Sequence, residues 1–376
     1  MQAIARYSGV ADSQVKVWLS MYMRALLQSA AETPLNSEAL HQKARLFAAD
    51  LSGEAVHWRI AIDIQDGLWL EDESYEIDEM TRLRRPTATD LEFTVPYSEP
   101  LSAAATTGGM RRPCAVCELE IVSPDNAVVH SAVQRLLTCL SLYGNGTVCS
   151  GLYRTTPESI LHVPSRSRPP VTLCLPFKFK FSKDDVSPFR EFYHTLGSLL
   201  VGPPRAMRNP ALMTHFAIAL QRLEDSLLRS TSPESRITQA ITALEAILLD
   251  EHQELSHRLS QRTAILLQGL GFDPVSLYKT VRDAYAIRSK YIHGSESKAE
   301  RPEMVAMSES AVNVARCCLL VMLQLPGRPS KKKVISQLDN AALDPDKRLE
   351  FAAMLNATSL IPPNLQCSSK EPANKM

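Results

Sequence analysis

An arginine and a histidine stand five residues apart in the run Arg288-Ser289-Lys290-Tyr291-Ile292-His293-Gly294. An imidazole titrates near neutrality and serves as general base or acid. A guanidinium stays charged and matches phosphate geometry in a bidentate fork. Together they suit phosphodiester cleavage without a metal. The histidine would activate a ribose 2′-OH and the arginine would offset charge on the phosphorane-like transition state. That chemistry needs a 2′-OH, so it implies RNA. Five residues of ideal helix turn through about 500°, which leaves Arg288 and His293 roughly 140° apart. A two-fold dimer bringing two such helix ends together would build the site from both chains.

The element that positions the pair is a helix beginning near Ser276, with apolar residues at Leu277, Val281, Ala284/Tyr285 and Tyr291/Ile292. Gly294 follows its last residue, where a left-handed cap favours glycine. Arg288 lies on the apolar stripe, and a guanidinium aimed at a core needs a partner. Glu245 is the first candidate and Glu254 the second, with Arg258 and Arg262 competing for the same carboxylates. The competing reading is an Arg–Glu network that ties helices together, with His293 as a polar residue at the carboxyl pole of the dipole.

The surrounding sequence from Pro210 to Leu325 reads as helix throughout. Ser232-Pro233 marks one start, as cap and first helical residue. Up to five helices with short connections predict a bundle. Two short helical pieces follow, near Val334–Leu338 and Pro345–Leu355. Upstream, residues 54–185 read as α+β with short strands: His57–Ile64, Leu91–Tyr97 and Cys117–Val122 alternate or run apolar, and further strands are expected near Thr147–Tyr153, Ser159–Val163 and Val171–Leu175. Phe177-Lys178-Phe179-Lys180-Phe181 fits a strand with Phe inward better than a base-stacking platform. A helix follows over residues 186–202. The organisation is therefore N-terminal helices over 1–52, an α+β sensor or regulatory domain over 53–203, an all-α bundle over 204–356 and a loose tail over 357–376.

Composition narrows the functional classes. Lys+Arg and Asp+Glu are both 41 among 376 residues, so no global basic field advertises nucleic-acid binding. The amino terminus lacks a secretory pattern, and the longest apolar runs fall short of the ~20 residues of a membrane span. Eight cysteines without framework spacing suit a reducing cytoplasm, so a cytoplasmic protein with no membrane contact is expected. Cys114 and Cys117 form half of a zinc clip, which Cys139 and Cys149 would complete only by tertiary accident. Cys317-Cys318 fits a core. With no phosphate loop, nucleophile elbow or His-Glu-X-X-His pair, neither metal nor cofactor is expected.

Three segments in order resemble a known family. Ile237–Leu248, containing Ala243-Leu244-Glu245-Ala246, is similar to the A-L-E-A-L helix of HEPN domains, in their ApeA-like branch. Glu254–Arg262 resembles the segment that follows it. Ala284–Gly294 is similar to the family's Arg-X4-His signature. The resemblance covers about residues 205–355. It implies a dimerising bundle that, in many members, cuts RNA without a metal, with Arg288 and His293 as the catalytic pair. Ser289, Lys290 and Tyr291 occupy the motif's variable interior, where polar residues often assist, and Glu245 matches a frequent acidic position. Relatives act in phage defence or as toxins, so an antitoxin or a phage-derived trigger is an implied partner beside RNA and a second copy. Some relatives have lost catalysis and serve as dimerisation or nucleic-acid-binding modules, which is the alternative function. A purely structural bundle attached to an unrelated sensor is the third.

Overall fold

The computed structural model describes residues 12–32, 36–92, 113–144, 148–162, 164–167, 179–199, 214–230, 232–251, 253–294, 300–326, 329–356 and 361–362. The chain divides into two compact units, each discontinuous in sequence. An antiparallel sheet region of short strands comes first and a helix-rich part follows.

The first unit takes Met1–Gln65, Asp72–Gln134 and Ser150–Pro170. Helices α1 (Asp12–Glu32) and α2 (Ser37–Ser52) lead into it. The side chain of Asn36 caps α2 by accepting from the Ala39 N–H at 2.8 Å. The sheet contains β1 (Val56–Asp66), β3 (Ser74–Asp78), β4 (Thr81–Arg84), β5 (Ala115–Ser123), β6 (Cys149–Pro157) and β7 (Ser165–Ser167), in the order β3-β4-β5-β1-β6-β7. Alternation along β1 decides which face is buried. Trp58, Ile60, Ile62 and Ile64 are at most 2 % exposed, while His57 and Arg59 point to the other face and pair with Glu120 and Glu158.

Two strand expectations fail here. Leu91 and Glu92 close a short helix, α3 (Ala88–Glu92), and residues 93–97 lie outside the described residues. Asp90 explains the turn, because its carboxylate accepts the Thr87 N–H and hydroxyl and folds the chain back on itself. Ser159–His162 is a bend rather than a strand. Its amides are already taken: Asp50 accepts from Ile160 and Leu161 at 2.7 and 2.9 Å, and Ser159 Oγ accepts from His162. The strand expected over Val171–Leu175 lies outside the described residues.

The second unit takes Asp66–Glu71, Arg135–Cys149 and Val171–Met376. Strand β2 (Leu68–Leu70) pairs in parallel with β8 (Phe179–Phe181). Phe179 and Phe181 are buried and Lys180 is exposed against Glu71 at 2.6 Å, so the described part of the Phe/Lys run is an amphipathic strand. Helix α4 (Asn126–Tyr143) contributes its second half to this unit. Tyr143 meets Phe179, Phe189 and Phe192 edge-on, the last two from α5 (Val186–Leu199).

The helices α6 (His215–Leu228), α7 (Pro233–Leu248), α8 (Leu255–Gln268), α9 (Pro274–Ile292), α10 (Arg301–Gln324), α11 (Lys331–Leu343) and α12 (Pro345–Asn356) make up the rest. Ser232 caps α7 and Pro233 opens it. Helix α7 packs against α6, α9 and α10, α9 also packs on α8, and α11 reaches α8. Among the described residues α10 is apolar enough over 18 residues to cross a membrane, but 67 % of that window is buried in the protein, as in a core helix. Cys317 and Cys318 are part of that core, at 1 % and 0 % exposure.

Candidate functional site

Helix α9 is built to present its last two turns. Asp273 caps it by accepting from Val275 and Ser276, and Pro274 supplies a preset first residue. Leu277, Val281 and Ala284 bury its inner face at 7 %, 1 % and 0 % exposure. The apolar stripe then runs out: Tyr291 is 46 % exposed and Ile292 53 %, so these two do not enter the core of this chain.

Arg288 sits where the stripe ends. Its Nη2 donates to Glu245 Oε2 at 3.0 Å, and both side chains are semi-buried. Glu245 is placed by α7, between Ile241 and Leu248, both fully buried. Burial raises the Glu245 carboxyl above its ordinary value, with Arg288 and the Tyr285 hydroxyl pulling it back toward the charged form. The Tyr285 ring lies 5.4 Å from the Arg288 guanidinium carbon. Arg288 Nε is buried and has no hydrogen-bond partner. A buried orphan donor on a cation is costly unless something supplies an acceptor.

His293 is the residue after the helix, with φ −87° and ψ 8°, and its N–H donates to the Ser289 carbonyl at 3.2 Å. The helix stays regular to Ile292, so the rotation separating Arg288 from His293 is not relieved by unwinding. Gly294 takes φ +70°, the left-handed conformation expected of its cap position. Lys290, Tyr291 and His293 are exposed and Ser289 is half-buried. Among the described residues no hydrogen bond or ion pair links these four to the Arg288–Glu245 pair. Within one chain, then, Arg288, Glu245 and Tyr285 come together and His293 stands apart.

The other charged residues sort differently from expectation. Glu254 approaches Arg258 at 3.6 Å rather than Arg288. Arg262 does not compete for Glu245. It is 1 % exposed and is held by Glu251 at 2.6 Å and Asp339 at 2.8 Å. Hydrogen bonds from Arg262 pull the Glu251 carboxyl down to about 2. Neither Glu251 nor Asp339 was singled out by sequence, and Asp339 comes from α11, which no local spacing connects to α8. Tyr285 was visible only as an apolar position, although a spacing of three from Arg288 puts the two on one helix face.

The first unit holds a cleft of about 560 Å³ over the charged face of its sheet, with Arg59, Arg84, Asp90, Glu118, Arg154 and Arg166 among its lining. Asp90 accepts from Arg84 at 2.6 Å and Arg154 at 2.8 Å, and Arg84 also reaches Glu118 at 2.7 Å. Asp63 lies beneath, 3.4 Å from Arg154, and burial pushes its carboxyl up to about 6. These charges cancel one another, as in an ion-pair network. Cys117 is fully buried in β5, opposite Ile62 and Leu83, and burial raises its thiol. Cys114 Sγ donates to the Ile64 carbonyl at 3.2 Å. The Cys149 side chain lies outside the described residues.

No family model, curated protein or solved structure matches this chain.

Proposed function

We propose that the helix-rich unit is a metal-independent endoribonuclease of HEPN type, acting in phage defence or as a toxin in the cytoplasm. Arg288 and His293 are its catalytic pair, with Glu245, Ser289, Lys290 and Tyr291 in support. The observation that carries this reading is Arg288 itself: a cation tethered semi-buried by one carboxylate, with a donor left over, five residues before an exposed histidine. The separation of Arg288 from His293 within a chain supports a homodimer in which a second copy completes the site. The exposed Tyr291 and Ile292 supply apolar surface at that helix end. RNA is the substrate, and an antitoxin or a phage-derived trigger would set its activity through the sheet-containing unit.

A second reading, a non-catalytic HEPN module for dimerisation or nucleic-acid binding, draws on the same separation, since His293 does not reach Arg288 in one chain. Cleavage of a mixed RNA pool in EDTA decides between them. The full chain cuts, and His293→Ala and Arg288→Ala each reduce cutting at least a hundredfold while both stay folded. Variants that cut like the parent sink the ribonuclease reading, and a parent that binds RNA without cutting favours the module.

A further inference from the structure

Resting on the ribonuclease reading, we infer that Tyr285 is a positioning residue of this site, holding Arg288 from beneath with its ring and Glu245 with its hydroxyl. The need for such a residue follows from the geometry of the pair. An arginine fixed by a fork–fork pair makes two parallel bonds to one carboxylate. Arg288 makes a single bond to Glu245 at 3.0 Å, and its Nε finds no acceptor. One contact leaves a long side chain free to pivot about it. The Tyr285 ring, 5.4 Å from the guanidinium carbon, supplies a second. Both residues project from the same face of α9, so the helix sets their spacing.

The hydroxyl does a separate job. It acts on the Glu245 carboxylate and on Arg288. When a phosphate draws the guanidinium toward itself, Glu245 is left semi-buried with its cation shared. A carboxylate in that position needs a remaining donor to stay ionised, and the Tyr285 hydroxyl is in place to be it. Arg288 and Tyr285, both on α9, are the charged and titratable groups that act on Glu245 from the helices packed on α7. Tyr285 therefore allows Arg288 to be divided between carboxylate and phosphate without the carboxylate taking a proton.

The test measures RNA oligonucleotide cleavage by the full chain and its Tyr285→Phe and Tyr285→Leu variants across pH 5 to 8, with Arg288→Ala and His293→Ala alongside. Tyr285→Phe keeps the ring and loses the hydroxyl. Its kcat falls roughly 3- to 10-fold with KM unchanged, and the acid limb of its pH profile moves to higher pH, because Glu245 has lost a donor that favours its charged form. Thermal melting stays at the parental value. Tyr285→Leu loses a further ~10-fold. If Tyr285→Leu does not fold, Tyr285→Phe carries the test alone. Parental kcat and an unmoved acid limb in Tyr285→Phe, with Arg288→Ala and His293→Ala inactive, overturn this inference and leave the ribonuclease reading standing. Parental activity in Arg288→Ala and His293→Ala, or no cleavage by the full chain, overturns both.

Discussion

Two arginines of the helical unit carry ion pairs of different depth, and truncating each separates a strut from a group kept available. Arg262 is 1 % exposed and donates through three nitrogens to Glu251, Asp339 and the Leu248 carbonyl, at 2.6 to 2.9 Å. Removing one partner of a buried pair costs about 3–5 kcal/mol. Glu251 and Asp339 are 30 % and 46 % exposed and regain water, so Arg262→Ala falls at the low end, about 3 kcal/mol. Arg288 makes one bond, at 22 % exposure, to a carboxylate at 18 %. Its loss removes that single bond and leaves Glu245 with partial access to water. Arg288→Ala should therefore cost only about 1 kcal/mol. The assay is urea denaturation at pH 7.5, followed by far-ultraviolet circular dichroism with a common slope. A cost for Arg288→Ala equal to that of Arg262→Ala would refute the reasoning and make Arg288 a strut like its neighbour.

Asp63 gives a pH dependence with a definite sign. Its carboxyl stands at about 6 in the folded chain against an ordinary 3.8, so the folded state binds the proton more tightly and the sheet unit loses stability as pH rises from about 4 to 6. Asp63→Asn should flatten that dependence, read by thermal melts at pH 4.5 and 7.5 through tryptophan fluorescence, to which the buried Trp58 contributes; a parent whose melting does not change over that range would contradict it. Gly294→Ala should cost about 1 kcal/mol, because φ +70° is strained for a side chain although nothing lies within 4 Å of the added methyl. Gly294→Asn should cost less in the same urea titration, and equal costs would locate the penalty elsewhere.

Much of the helical unit was legible because its signals are local. Ser232-Pro233 stands at a real helix start, α9 opens at Pro274, two residues ahead of the Ser276 expected, and the Leu277–Val281–Ala284 spacing buries as its period requires. Glu245 could be chosen for Arg288 because it flanks the buried stripe of α7. The stripe was followed too far at Tyr291 and Ile292, since periodicity reports a face and not where the neighbouring helices end. The sheet was less legible. Strands β3 and β4 went unread behind Glu71-Asp72-Glu73 and the charged positions of Glu76, Arg82 and Arg84, whose partners sit on adjacent strands and, for Arg84, also at Asp90 of α3. Ser159–His162 misled because its amides are satisfied by Asp50, more than a hundred residues away in the chain. Glu251 and Asp339 meet Arg262 through tertiary packing alone.

The parallel pairing of β2 with β8 has a bearing on how the chain reaches this structure. Leu68 lies beside Phe179, roughly 110 residues later, and joining them costs about 4 kcal/mol of loop-closure entropy before any contact repays it. During synthesis β2 emerges early and must wait unpaired until β8 follows it. A protein cut just ahead of β8 would keep every helix from α5 onward yet lose the strand that Phe179 and Phe181 pair with, leaving an unprotected edge. Fragments meant to isolate the helical unit should carry residues 66–71 and 135–149 in trans or by fusion, and refolding of the full chain should show a slow phase that such a fusion shortens.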